Sequence, residues 1–126
     1  MHMLLWIALG GAAGTALRYL VGSPVTALVQ GRFPLGTLVI NVAGGFLIGF
    51  FARWFLHMQA TPELRAALTV GLCGGFTTFS TFSLETVGLI EGGLYVRATI
   101  YVLLSVALSL LATVAGMATA KLITPA

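Results

Sequence analysis

The stretch GLCGGFTTFSTFSLE, residues 71–85, combines glycines, hydroxyl side chains and phenylalanines within an otherwise apolar part of the chain. Glycine in a helix interior costs about 1 kcal/mol, and the β-branched threonines also favour other conformations. The glycines and threonines between residues 74 and 78 therefore predict a break in this helix. A break frees backbone carbonyl groups, and freed carbonyls can coordinate a small cation.

Aromatic rings and hydroxyls follow the expected break at helical spacing. Phe79 and Phe82 are three residues apart and share one helix face, and Ser80 and Ser83 form an adjacent pair. An aromatic ring has a positive edge, so the two phenylalanines could contact an anion, although each contact is weak. Simple packing of the two rings is the alternative interpretation.

A second set of hydroxyls lies on the last apolar segment. Ser105, Ser109 and Thr113 are spaced i, i+4 and i+8, which places them along one helix face, with Tyr101 one turn earlier. Helix hydroxyls often bond back to the carbonyls of their own helix. The column is therefore either a polar track through the apolar segment or a set of internally bonded side chains.

Three further polar residues lie within apolar segments, where such groups are costly and often functional. Asn41 could clamp two helices together or donate hydrogen bonds to a ligand. Arg18 could extend to the membrane surface or set a positive potential at a vestibule. Glu85 lies in the third segment, and residues 1–62 contain no acidic residue.

An anion that crosses an apolar medium needs several compensating groups. Transfer of a carboxylate-sized ion into a low dielectric costs on the order of 20 kcal/mol. One hydrogen bond to a charged group contributes only about 1.5–3 kcal/mol. Several donors and a nearby positive charge are therefore required, and Arg18 or a bound cation could supply that charge. The candidate donors are Asn41, Ser80, Ser83, Tyr101, Ser105, Ser109 and Thr113.

The composition indicates an integral membrane protein. Of the 126 residues, 59% are hydrophobic and 7% are charged, whereas soluble domains usually contain about 25% charged residues. About 20 apolar residues cross a hydrocarbon core. We therefore expect an all-α membrane protein in which residues 1–126 form a single domain with four transmembrane helices. The expected spans are about 3–22, 36–56, 66–91 and 97–121.

Local signals refine this prediction. Pro24 and Pro34 should break any helix that continues between the first two spans. No Lys or Arg precedes the first apolar run, so we interpret it as a retained helix rather than a signal peptide. Three pairs of glycines at GxxxG spacing predict tight helix packing. These pairs are Gly10 and Gly14, Gly45 and Gly49, and Gly71 and Gly75.

The charged residues carry little orientational information. The six basic residues are scattered, which argues against a nucleic-acid-binding patch. Four spans place three of them at each side, whereas a Lys/Arg bias normally sets orientation. The chain could therefore insert both ways and form an antiparallel dimer, unless a few positions outweigh the others. The single cysteine, Cys73, excludes an intrachain disulfide and suits a small buried apolar residue.

These residues together resemble a fluoride channel of the Fluc (CrcB) family, over nearly the whole chain. The resemblance rests on three stretches of sequence. The first is Gly11, Gly14, Arg18 and Tyr19 in the pattern GxxGxxxRY, the second is GTLVINVAGGFLIG, and the third is GLCGGFTTFSTFSLE. The GGxTTFSTFS core of the third stretch is very specific.

The resemblance implies a function and an assembly. Members of the family form antiparallel, dual-topology homodimers with two fluoride pathways in the bacterial inner membrane. They passively export fluoride that entered the cell as its neutral acid, which protects cytoplasmic enzymes. The expected partners are thus a second copy of the chain, fluoride and membrane lipid.

The resemblance also implies roles for individual residues. Phe79 and Phe82 match the pore phenylalanines, Asn41 matches the pore asparagine, and Arg18 matches a vestibule arginine. Family members hold a structural sodium ion at the dimer centre through main-chain carbonyls, and those positions match Gly74 and Thr77. Positions of the polar track match Ser80, Tyr101, Ser105, Ser109 and Thr113, and Ser83 and Glu85 match motif positions of less certain role.

Two other function classes fit a short four-span chain. A small multidrug exporter needs a carboxylate in its first helix to exchange protons for substrate, and the first span has none, although Glu85 could take that role. A structural or regulatory membrane subunit would show no ion flux alone. An enzyme is not expected, since no nucleophile dyad, histidine pair or metal-ligand spacing is present.

Overall fold

The computed structural model describes residues 1–124, and these residues fold into helices joined by short loops. Helix α1 spans His2–Leu28 and α2 spans Leu35–Trp54. The third span, Pro62–Glu91, is built from successive helical pieces, and α6 spans Tyr95–Ile123. All four are long and apolar enough to cross a membrane. The prediction of an all-α chain with four such helices is confirmed.

The third span differs from the others because its helix changes character along its length. It begins with α3 (Pro62–Ala66), continues as a π-helical segment (Ala67–Cys73) and then as α4 (Gly74–Phe76), and resumes as α5 (Phe79–Glu91). Single π-turns in helices are frequent at functional sites. Between α4 and α5 the chain is not helical.

The prediction that Pro24 ends the first helix is wrong. Pro24 lies inside α1, which continues for another turn to Leu28. Proline removes one helical hydrogen bond, and contacts with α2 offset that loss. The backbone N–H of Gly36 donates to Thr26 Oγ1 at 3.2 Å, and the same glycine sits so close to α1 that a Cβ there would clash with the Gly22 carbonyl. Pro34, in contrast, directly precedes α2 as predicted.

Close glycine contacts join the helices in two pairs, as the GxxxG spacing predicts. The Gly10 and Gly14 positions of α1 face the backbone of the third span, including Gly71. In the second pair, α2 packs along α6, where a Cβ on Gly45 would lie 2.8 Å from the Ser109 carbonyl oxygen. Without side chains between them, the backbones approach closely, and dispersion contacts stabilise the pairs.

Arginine side chains hold the loops at both ends of the bundle. The guanidinium of Arg97, in the first turn of α6, donates from Nη1 to the Arg32 carbonyl at 3.2 Å, which joins α6 to the loop before α2. At the other end, Arg65 donates to the carbonyls of Ala60 and Met58 at 3.3 and 3.2 Å, and Thr61 caps α3. These contacts fix the loops relative to the helices.

Candidate ion pathway

The non-helical residues Thr77 and Thr78 form the centre of the candidate site. Their backbones are extended, with φ −82° and ψ 158° at Thr77 and φ −151° and ψ 114° at Thr78. An extended backbone interrupts the i to i−4 hydrogen-bond ladder of a helix. The carbonyl groups of Gly74 and Thr77, on the amino-terminal side of α5, consequently lose their helical partners.

Asn41 of α2 bonds both backbone groups of Thr78. Asn41 Oδ1 accepts a hydrogen bond from the Thr78 N–H at 2.9 Å, and Asn41 Nδ2 donates to the Thr78 carbonyl at 3.1 Å. Of the two roles that the sequence left open for Asn41, the clamp between two helices is therefore present. The second N–H of the same amide is available for another acceptor.

Thr78 also starts α5 with its side chain. Thr78 Oγ1 accepts a hydrogen bond from the Thr81 N–H at 3.2 Å, as an N-cap residue does, and lies 3.2 Å from Ser80 Oγ. Sequence reasoning did not select Thr78 as a site residue. Its signal was available, because a threonine directly before an apolar helical run is a favoured N-cap.

A cavity of about 510 Å³ lies beside this interruption, between α2, the third span and α6. Its wall is mainly apolar, with a few polar groups. Several residues that the sequence singled out separately border this one cavity. They are Asn41, Gly74, Thr77, Phe79, Phe82, Ser105 and Ser109.

The two phenylalanines have different surroundings. Their ring centroids are 5.4 Å apart, and the Phe82 ring also lies 5.2 Å from that of Tyr101. Phe79 is 79% exposed in the single chain. Phe82 is half-buried and packs against Tyr101, whereas Phe79 is exposed at the cavity edge.

The predicted column on α6 divides into three kinds of hydroxyl. The Tyr101 hydroxyl, fully buried, donates to Glu85 Oε2 at 2.6 Å. Ser105 Oγ is buried and has no hydrogen-bond partner within the described residues. Thr113 Oγ1 donates back to the Ser109 carbonyl at 2.9 Å. Within the described residues, the Ser105 hydroxyl thus has no hydrogen-bond partner, whereas the hydroxyls of Tyr101 and Thr113 are hydrogen-bonded.

Glu85 connects three helices. It accepts from Tyr101 of α6 and, through Oε1, from Thr37 Oγ1 of α2 at 2.9 Å. Thr37 was not singled out from the sequence, and no local signal marks it, because its partner lies 48 positions away. Two hydrogen bonds from different helices hold this carboxylate in one position.

The remaining predicted residues lie outside the 510 Å³ cavity. Ser83 Oγ donates to the Phe79 carbonyl at 2.9 Å, so its hydroxyl is committed to its own helix. Arg18 borders a second cavity, of about 660 Å³, on the α1 side. Thr78 borders both cavities, so the interrupted backbone is the partition between them.

The groups at the interruption suit a hard monovalent cation better than a transition metal. Within residues 1–124, no group of three His, Cys, Asp or Glu side chains could hold a metal ion. Main-chain carbonyl oxygens are neutral, hard ligands of the kind that coordinate alkali cations in channels. The freed carbonyls of Gly74 and Thr77 therefore fit sodium in chemical type.

Comparison with known proteins identifies relatives along nearly the whole chain. The model of a family described as "CrcB-like protein, Camphor Resistance (CrcB)" matches residues 5–117. A protein of Rhizobium meliloti named "Fluoride-specific ion channel FluC" is 47% identical over 119 residues, which cover 94% of this chain and 95% of the relative. A protein of Geobacter sulfurreducens with the same name is 48% identical over 122 residues, covering 96% and 98%. One from Sulfurovum is 44% identical over 116 residues, covering 92% and 91%.

Proposed function

The chain belongs to the CrcB family, and from this membership we propose that it is a fluoride-selective channel through which cytoplasmic fluoride leaves the cell passively. The observation that carries the proposal is the cavity that unites Asn41, Phe79, Phe82 and Ser105 in a chain whose relatives bear the name of a fluoride-specific channel. The expectation that the chain is not an enzyme is confirmed by this family, since those relatives are named ion channels.

The groups around the cavity supply what a small anion needs in place of water. The free N–H of Asn41 and the uncommitted hydroxyl of Ser105 are hydrogen-bond donors on opposite helices. The edges of Phe79 and Phe82 add weak positive electrostatic contacts. Each donor contributes about 1.5–3 kcal/mol to a charged partner, so an anion would pass by successive contacts. Ser80, Ser83, Tyr101, Ser109 and Thr113 complete the proposed pathway.

A structural sodium ion is part of the proposal, together with a second copy of the chain. The Gly74 and Thr77 carbonyls would hold sodium at the centre of an antiparallel homodimer, one set from each subunit. Bound there, the ion supplies a fixed positive charge near the anion route, and Arg18 supplies a second one at the vestibule. The outward exposure of Phe79 supports a partner that covers this face, because the residue is 79% exposed in the single chain.

The balanced basic residues support insertion in both orientations, and we place the dimer in the bacterial inner membrane. Export of fluoride would lower its toxicity to cytoplasmic enzymes. Net export of fluoride through a channel needs no energy source, because the ion moves down its electrochemical gradient.

Fluoride efflux from liposomes that contain the purified protein tests the proposed function. A fluoride electrode follows release, and chloride release is measured in parallel. Fast fluoride release with negligible chloride release is the expected result. No fluoride release from a folded dimer would reject the channel and return the exporter and the membrane subunit as the leading alternatives.

A further inference from the structure

Two side chains at the interruption accept N–H groups that a continuous helix would direct to the Gly74 and Thr77 carbonyls. In a continuous helix the Thr78 N–H would bond the Gly74 carbonyl, four residues earlier. Instead it donates to Asn41 Oδ1 at 2.9 Å. The amide of Asn41 therefore removes the donor that would otherwise occupy the Gly74 carbonyl.

The second carbonyl is freed in the same way by a different acceptor. In a continuous helix the Thr81 N–H would bond the Thr77 carbonyl. It donates instead to Thr78 Oγ1 at 3.2 Å. Thr78 is 7% exposed, so water has little access to replace either acceptor.

We propose that Asn41 and Thr78 are positioning residues for cation binding, because their side chains capture the N–H groups that would otherwise occupy the Gly74 and Thr77 carbonyls. The inference rests on the sodium site of the proposed function. It gives Asn41 a task besides contact with the anion, since Oδ1 serves the cation site while Nδ2 retains one free N–H. Anion and cation sites are thereby coupled through one amide group.

Sodium-dependent stability of the purified full-length protein tests this inference without measuring flux. The thermal unfolding midpoint is recorded against sodium concentration, with N-methylglucamine as the replacing cation. In Asn41→Leu the Thr78 N–H loses its acceptor, and in Thr78→Val the Thr81 N–H loses its own. We expect each variant to raise the half-saturating sodium concentration by about tenfold, the equivalent of one hydrogen bond.

Thr86→Val is the matched control. Thr86 lies on the same helix and its hydroxyl donates to the Phe82 carbonyl at 2.7 Å, so the change removes a hydroxyl without touching the two captured N–H groups. Its sodium dependence should equal that of the wild type. Wild-type sodium dependence in both Asn41→Leu and Thr78→Val would overturn the inference.

Asn41→Asp keeps an acceptor for the Thr78 N–H and also serves if Asn41→Leu does not fold. We expect it to retain sodium dependence, with a half-saturating concentration at or below that of the wild type because the added negative charge attracts the cation. Fluoride efflux should fall, because the same negative charge borders the cavity. Loss of sodium dependence in this variant would contradict the acceptor role. If the unfolding midpoint of the wild-type protein does not depend on sodium concentration, both the cation site and this inference are rejected. If sodium dependence is intact but fluoride efflux is absent, only the proposed channel is rejected.

Discussion

Two neighbouring regions of the third span are built on opposite principles. In the first, which we call the glycine seam, Gly71 and Gly75 press the third span against α1. A Cβ on Gly71 would lie 2.6 Å from the Ile7 carbonyl oxygen, and one on Gly75 would lie 2.5 Å from that of Gly11. In the second, the interruption at Thr77 and Thr78, side chains fill the space and bond the backbone.

The difference shows how an apolar bundle contains a polar site. The seam depends on the absence of side-chain atoms, so any added atom would clash with the facing backbone. The interruption depends on atoms that are present, because buried backbone groups that leave a helix must be satisfied by other partners. Substitutions should therefore act by size at the seam and by hydrogen-bonding capacity at the interruption.

The largest effect is expected from added volume at the seam. Gly75→Val places a branched side chain against the Gly11 backbone, and overpacking that shifts backbone costs about 1–3 kcal/mol. We expect loss of most of the monodisperse protein on size-exclusion chromatography. Gly88→Ala is the control, since a Cβ there meets nothing within 4 Å, and it should preserve or raise the unfolding midpoint. Equal behaviour of the two variants would show that the seam is not tightly packed.

Glu85→Gln removes hydrogen-bonding capacity without changing size. Glutamine offers one carbonyl oxygen where Glu85 offers an oxygen each to Tyr101 and Thr37. A buried donor left without its acceptor costs about 1–3 kcal/mol, so the unfolding midpoint should fall. Fluoride efflux should remain measurable if the protein is a channel. Complete loss of transport from folded protein would favour the exporter, in which Glu85 carries protons.

Substitutions of Phe79 and Phe82 test the role of the two rings in fluoride efflux and in stability. Phe79→Ile and Phe82→Ile should each reduce fluoride efflux, because the weak contact between the positive ring edge and the anion is lost. Phe82→Ile should also lower the unfolding midpoint, since Phe82 packs on Tyr101. Normal efflux in both variants would remove the pore role of the rings.

The smallest effects on fluoride efflux are expected from removal of single hydroxyls on α6. Ser105→Ala removes a buried hydroxyl without a partner, so stability should be unchanged or slightly higher while fluoride efflux falls. Thr113→Val removes a hydroxyl that bonds the Ser109 carbonyl and should alter efflux less. Efflux at matched protein density compares the two variants. A larger loss of efflux in Thr113→Val than in Ser105→Ala would show that a hydroxyl bonded to its own helix contributes more to the pathway than the free one.

The apolar spans and the glycine packing positions can be predicted from the amino-acid sequence alone. Four segments are long and apolar, so they must form helices whose backbone groups bond internally, and glycine pairs four residues apart must lie on one helix face. Both properties are local and readable from composition and spacing. The residues of the interruption also carried a local signal, because glycine followed by threonine is unfavourable in a helix.

Which polar atoms form hydrogen bonds and which remain free depends on the packing of the helices against each other. Asn41 and Thr78 are 37 positions apart, and Thr37 and Glu85 are 48 apart, so no local pattern reveals that these groups bond. The same holds for Pro24, whose helix continues because α2 packs against it. A hydroxyl or amide has similar intrinsic chemistry at every position of a chain. Its function depends on which partner the folded chain places within 3 Å or so, and that partner usually comes from another helix.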